Sequence, residues 1–96
     1  MRILITYDVE TCSENGAKRL RRVAKECVNY GHRVQNSVFE CVLNESQLSI
    51  LRQRLEEEMD KKSDSIRIYH LGNELRNKVE VLGKNTDLNV TGDLII

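Results

Sequence analysis

Residues 32–43 read HRVQNSVFECVL, a run rich in strand-forming residues that directly follows a glycine. At about 3.3 Å per residue, a single strand over this run would extend roughly 40 Å, which is long for so small a domain. We therefore predict two short strands that fold back on each other about Asn36-Ser37. This hairpin supplies two consecutive strands, and the elements predicted before and after it decide the fold.

A strand and an amphipathic helix are predicted before this hairpin. Residues 2–9 form the first strand, because nearly all of them favour β structure. Thr11 or Ser13 is predicted to cap the following helix, and Gly31 to end it in a left-handed cap. Apolar residues recur at helical spacing between these two ends, at Ala17, Leu20, Val23, Ala24, Cys27 and Val28.

After the hairpin, a helix pattern is again followed by strand patterns. Residues 45–60 are predicted to form a second helix whose inward side chains are Leu48, Leu51, Leu55 and Met59. Strands are predicted at 65–71 and 79–82, and DLII at 93–96 looks like a further extended piece. The order is βαββαβ with an extra C-terminal β-strand, which predicts a ferredoxin-like α+β fold with both helices on one face of the sheet.

Two of the predicted strands are apolar on both faces. The residues ILI at 3–5 leave no polar row, and Val38 and Val42 alternate with Phe39 and Cys41. The face that the helices do not cover therefore needs another cover, and a second copy of the chain packed sheet against sheet is the simplest one. The alternative is a tightly packed monomer whose apolar C-terminus folds back.

The composition indicates one globular domain. Of the 96 residues, 40% are hydrophobic and 31% are charged, so residues 1–96 are predicted to form a single domain with a tail from about 84–96. No apolar run approaches the roughly 20 residues of a transmembrane helix, and the chain begins with the first strand, so we expect a cytoplasmic protein with no membrane partner. Cys12, Cys27 and Cys41 form no C-x-x-C pair, so we expect reduced thiols.

Charge is unevenly distributed although the net charge is zero. Residues 16–33 contain one acidic residue, Glu26, against six basic ones, which are Lys18, Arg19, Arg21, Arg22, Lys25 and Arg33. Arg19, Arg22 and Lys25 recur at a spacing of three, so we expect them to share one side of the helix. Together with Lys18 and Arg33 they are predicted to bind nucleic acid. The alternative is an ordinary solvated helix face.

Asp8 stands where the first strand ends, and two roles are open for it. It could cap the following turn, or it could bind a metal ion. Magnesium is commonly held by one or two carboxylates together with waters and substrate phosphate. One Asp8 would be a meagre site, whereas two Asp8 carboxylates brought together across a two-fold axis would be sufficient.

Three segments together resemble a known family. They are LITYDV at 4–9, KRLRRVAKECVNYGHRVQNSVFEC at 18–41 and DSIRIYHLG at 64–72. In order and spacing, from residue 2 to about 83, the sequence is similar to the small CRISPR-associated endonucleases of spacer acquisition, the Cas-two family. Its full length most resembles the subtype I-C (Dvulg) branch.

This resemblance implies a homodimeric endonuclease of antiviral defence that needs magnesium or another divalent cation and acts on RNA or double-stranded DNA. It also implies the spacer integrase as a partner on duplex DNA. The family's metal-binding aspartate matches Asp8, which would be both metal ligand and catalytic residue, with Tyr7 beside it. Its conserved arginine and Ser-Phe pair match Arg33, Ser37 and Phe39. A non-catalytic dimeric scaffold that bridges integrase units and binds duplex DNA remains the alternative function.

Overall fold

The computed structural model describes residues 1–9, 14–71 and 78–83. Thr11, Ser13 and the piece DLII at 93–96 lie outside these residues, as does the tail at 84–96. The described elements are β1 (Arg2–Asp8), α1 (Glu14–Val28), β2 (Gly31–Gln35), β3 (Val38–Val42), α2 (Glu45–Glu58), β4 (Ser65–Leu71) and β5 (Lys78–Gly83).

The strands form one five-stranded antiparallel sheet in the order β2-β3-β1-β4-β5. The hairpin predicted at 32–43 is present, because β2 and β3 pair and the turn between them contains Asn36-Ser37. β1 lies in the middle of the sheet, where its Ile5 pairs with Phe39 on one side and with Ile68 on the other. The ferredoxin-like α+β fold predicted from the element order is confirmed.

The helices cover one face of this sheet and form a single core with it. Along β1, the fully buried Ile3 and Ile5 and the nearly buried Tyr7 alternate with more exposed residues. The same cluster contains side chains from both helices and from the neighbouring strands: Val23, Ala24, Cys27, Leu48, Leu51, Leu55, Phe39, Cys41, Ile66 and Ile68. Since successive strand residues point to opposite faces, the even-numbered residues of β1 lie on the helix-free face.

α2 begins and ends close to the predicted positions. A capping box starts it, in which the Asn44 side chain accepts from the backbone N–H of Gln47 at 2.8 Å and the Gln47 side chain accepts from the backbone N–H of Asn44 at 2.9 Å. The helix ends at Glu58, because Met59 already has extended backbone angles. Met59 nevertheless packs into the core, as predicted.

Two predictions about α1 are wrong. Gly31 does not cap the helix, which ends at Val28; Gly31 is instead the first residue of β2. The chain needs glycine there because a Cβ atom would collide with the Glu40 carbonyl oxygen and lie 2.6 Å from the Cα of Cys41. Ala17 and Val28 do not belong to the buried side of the helix either, because both are exposed.

The thiols that the structure describes are free and buried, as expected for reduced cysteines. The Cys41 Sγ lies 3.5 Å from the Cys27 carbonyl oxygen, within the core. Burial raises the pKa of Cys41 to about 11, so this thiol stays protonated at neutral pH.

The helix-free face exposes large apolar side chains, as the doubly apolar strands predict. Val42 is 66% exposed, Val79 is 47% exposed, and Leu71 and Val81 are each 36% exposed. That a second copy of the chain packs against this face remains a prediction. Neither described helix is long and apolar enough to cross a membrane.

Candidate metal and nucleic-acid site

Asp8 is the last residue of the central strand, and its side chain is exposed on the helix-free face. Its neighbour Tyr7 points the opposite way, into the core. No hydrogen bond or ion pair joins the Asp8 carboxylate to another residue in the described part of the chain. The carboxylate therefore has both oxygens available to a ligand from solvent.

Ser65, the first residue of β4, pairs directly with Asp8 across the sheet. Residues that face each other in an antiparallel pair point to the same side, so the two side chains share the helix-free face. Ser65 is only 5% exposed, and its Oγ is buried without a hydrogen-bond partner. A polar atom with an unmet hydrogen bond thus lies next to the exposed carboxylate.

These two groups fit a magnesium ion only in part. Within the residues that the structure describes, no three His, Cys, Asp or Glu side chains come together as metal ligands. Magnesium keeps several waters and needs few carboxylates, so Asp8 with a second carboxylate and substrate phosphate would fit its chemistry. One chain supplies one such carboxylate, and a second copy on the same face would supply the other.

A buried charged cluster centred on Asp64 lies behind this strand end. Asp64 is fully buried and directly precedes Ser65. Its Oδ2 accepts from the Tyr7 hydroxyl at 2.6 Å, from the Arg19 Nε at 2.7 Å and from the Asp60 backbone N–H at 3.0 Å. Its Oδ1 accepts from the Arg19 Nη2 at 3.1 Å. One carboxylate therefore joins β1, α1 and the turn that leads into β4.

The contacts within the cluster keep Tyr7 and Arg19 protonated. Burial and the hydrogen bond to Asp64 raise the pKa of Tyr7, so this phenol remains a hydrogen-bond donor. The hydrogen bond to Asp64 likewise raises the pKa of Arg19, which stays charged. Because Tyr7 and Asp64 adjoin Asp8 and Ser65 along the chain, the cluster fixes the ends of the two strands that carry the exposed carboxylate and the unpaired hydroxyl.

The predicted placement of Arg19 on an exposed stripe is wrong. Its side chain is 16% exposed and forms a two-point ion pair with Asp64. The cations of α1 that remain exposed are Lys18, Arg21, Arg22 and Lys25, which we call the basic face. Lys18, Arg22 and Lys25 are spaced by four and three residues, so they lie on one side of the helix.

Tyr7, Phe39 and Arg33 do not join Asp8 on the helix-free face of the sheet. Phe39 is fully buried and Tyr7 is 2% exposed, so core packing accounts for both, and neither can stack on a base. Arg33 is exposed, but its Nε donates to the Asn36 carbonyl at 2.8 Å and its guanidinium lies 5.4 Å from the centre of the Phe39 ring. Ser37 lies beside the end of β1, where its carbonyl accepts from the Tyr7 backbone N–H at 2.9 Å.

Comparison with known proteins places this arrangement in a family. Residues 1–79 match the family described as CRISPR associated protein Cas2. The chain is 52% identical over 95 residues to a CRISPR-associated endonuclease Cas2 of Halalkalibacterium halodurans, with 99% of each chain covered. It is 49% identical over 96 residues to a CRISPR-associated endoribonuclease Cas2 of Nitratidesulfovibrio vulgaris, which covers all of this chain and 94% of that one.

Solved structures agree with the sequence comparison. The chain is similar to Streptococcus pyogenes Cas2 in a crystal structure at pH 6.5, with a TM-score of 0.74 and 54% identity over 75% of this chain and 87% of that one. A hypothetical protein TT1823 from Thermus thermophilus is also similar, with a TM-score of 0.65 and 33% identity over 78% of this chain and 85% of that one. The fold, the strand-end aspartate and these likenesses together show that the chain belongs to the Cas2 family of CRISPR-associated proteins.

Proposed function

We propose that this protein is a magnesium-dependent endonuclease that hydrolyses phosphodiester bonds in double-stranded DNA, RNA or both. The observation that carries the proposal is the exposed Asp8 carboxylate at the end of the central strand, on an apolar face that no helix covers. Relatives that are about half identical to this chain are named endonuclease and endoribonuclease, which supports nuclease activity. Its place would be CRISPR spacer acquisition, with the spacer integrase as partner.

The active unit would be a homodimer formed through the helix-free face. That face exposes four large apolar side chains, which are Val42, Leu71, Val79 and Val81, and exposed apolar patches mark interfaces. A two-fold axis brings the same patch of both copies together, and Asp8 lies on this face. Dimerisation would therefore bury the apolar residues and also provide the second carboxylate.

Each part of the chain has a separate task in the proposed reaction. Asp8 holds the ion, and magnesium when bound polarises a phosphoryl oxygen and acidifies water. The cluster of Tyr7, Arg19 and Asp64 fixes the backbone that carries Asp8. The basic face binds phosphates without reading bases, so substrate choice would depend little on sequence.

The test is cleavage of duplex DNA and of RNA by the purified protein with and without magnesium, alongside Asp8→Asn. We expect Asp8→Asn to remove cleavage and to retain the fold, because an exposed strand-end carboxylate contributes little to packing. Glu57→Gln, which neutralises an exposed carboxylate on α2, is the matched control and should cleave normally. Full activity in Asp8→Asn would end the catalytic proposal.

A scaffold function is the second candidate. The exposed apolar residues of the helix-free face and the basic face favour it, because a dimer that carries them could bridge integrase units and bind duplex DNA without chemistry. Wild-type protein that binds duplex DNA but shows no magnesium-dependent cleavage of either nucleic acid would select the scaffold.

A further inference from the structure

The Ser65 hydroxyl is a buried polar group with an unmet hydrogen bond. Its Oγ has no partner, although the residue is 5% exposed and lies in regular β structure. Leaving such a group unpaired costs free energy, and most buried side-chain polar atoms in native proteins have a partner. The unpaired hydroxyl therefore does not stabilise the ligand-free protein, and its presence at this position needs another explanation.

Among the described residues that pair with Ser65 in the sheet, Asp8 alone has an acceptor side chain. Ser65 pairs with Gly83 on one side, which has no side chain, and with Asp8 on the other. Arg67, two residues along β4 on the same face, carries only donors. Directly paired residues have Cβ atoms about 4.5–5.5 Å apart, so a hydroxyl and a carboxylate at these positions can reach each other.

From this placement we infer that Ser65 is a positioning residue for Asp8, whose hydroxyl donates a hydrogen bond to the Asp8 carboxylate when that carboxylate binds a metal ion. This inference rests on the proposed metal site. A carboxylate that binds an ion through one oxygen leaves the other free to accept a hydrogen bond, and such a bond fixes the orientation of the ligand. Ser65 would thereby order an exposed side chain that nothing else described in the structure holds.

Removal of the hydroxyl should act in opposite directions on stability and on metal binding. Ser65→Ala removes an unpaired polar atom, so the melting temperature without metal should stay the same or rise. The same change should weaken Mn²⁺ binding by about tenfold or more, as loss of a hydrogen bond to a metal ligand commonly does. If Ser65 had a purely structural role, Ser65→Ala would lower the melting temperature and leave Mn²⁺ binding unchanged.

The experiment titrates the full chain with Mn²⁺, follows the free ion by electron paramagnetic resonance, and measures melting of the metal-free protein. Ser65→Thr keeps the hydroxyl and should retain the wild-type affinity. Ser49→Ala removes an exposed hydroxyl from α2 and should change neither quantity. The inference is overturned if Ser65→Ala binds Mn²⁺ within about twofold of wild type, or if its melting temperature falls.

Asp8→Asn in the same titration separates this inference from the proposal on which it rests. Weakened Mn²⁺ binding in Asp8→Asn with normal binding in Ser65→Ala would refute the role of Ser65 and leave the metal site standing. Unchanged binding in Asp8→Asn would refute the metal site itself, and the role of Ser65 with it.

Discussion

Substitution of Arg19 by methionine should destabilise the protein severely and should not act mainly on nucleic-acid binding. Methionine keeps much of the aliphatic length of arginine but removes its hydrogen-bond donors. Asp64 would then remain fully buried and would keep the hydrogen bonds from the Tyr7 hydroxyl and the Asp60 backbone N–H. Its negative charge would lack the cation that now lies 2.7 Å away.

The size of the effect follows from burial. Removing one partner of a buried ion pair typically costs about 3–5 kcal/mol, because the other charge is left uncompensated. Arg19 is 16% exposed and Asp64 is fully buried, so solvent screens this pair little. A small domain has about 5–15 kcal/mol of stability in total, and each 1 kcal/mol lowers the melting temperature by about 4–8 °C. We therefore expect the melting temperature to fall by more than about 12 °C.

Urea unfolding followed by circular dichroism, at one fixed protein concentration, measures the loss in the free energy of unfolding. Thermal unfolding under the same conditions measures the fall in melting temperature. Asp64→Asn in the Arg19→Met background removes the uncompensated charge and should recover part of the stability, so the two changes should be strongly non-additive. Arg21→Met, on the exposed part of the same helix, is the matched control and should change the free energy of unfolding by less than about 0.5 kcal/mol.

Two outcomes would refute the reasoning. If Arg19→Met melted like wild type and bound duplex DNA weakly, Arg19 would be a phosphate contact, as its sequence pattern suggests. If the losses in the two single variants simply added in the double variant, the ion pair would contribute no coupling.

Two further predictions concern the surfaces. Changing Lys18 and Arg22 together to glutamine should weaken binding to unrelated duplexes and reduce the slope of log affinity against log salt by about 0.9 for each lost phosphate contact, measured by fluorescence anisotropy. Val42→Lys should give an 11.1 kDa species in sedimentation and leave the circular dichroism spectrum intact, because Val42 is 66% exposed on the proposed dimer face.

Matched variants give each of these experiments a control. Lys61→Gln with Lys62→Gln removes two exposed cations from the α2–β4 turn and should leave the salt slope unchanged. Ile50→Lys places the same charge at a 47% exposed apolar residue on the helix layer and should leave the dimer intact. An unchanged slope in the basic-face variant would mean that nucleic acid binds elsewhere. Wild-type protein that sediments only at 11.1 kDa would rule out the dimer at that concentration.

The fold could be predicted from sequence because its signals are local. The run SIRIYHL predicted a strand at 65–71, where the structure has β4 at Ser65–Leu71. The hairpin at 32–43 followed from the length of one continuous strand, and the exposed apolar residues of the helix-free face followed from strands that are apolar on both sides. Each of these inferences needs only residues that are close together in the chain.

The candidate site could be predicted only in part, because its contacts are distant in sequence. Asp8 was identified as a strand-end carboxylate, but the pairing of Ser65 with it depends on register between strands 57 residues apart. Arg19 looks like its basic neighbours until Asp64 is placed beside it, 45 residues later. Charge counting over a window of the sequence therefore grouped Arg19 with the exposed cations and gave no sign of its ion pair with Asp64.

The cluster centred on Asp64 also bears on the order of folding. Its carboxylate meets the Tyr7 hydroxyl across 57 residues of chain and the Arg19 guanidinium across 45, so these bonds require β1, α1 and the start of β4 to be in place together. Contacts that close such long loops are entropically costly before the rest of the structure supports them. We expect them to form after the rate-limiting step, so that substitutions at Asp64 accelerate unfolding far more than they slow refolding. The buried carboxylate would then act mainly to prolong the lifetime of the folded chain.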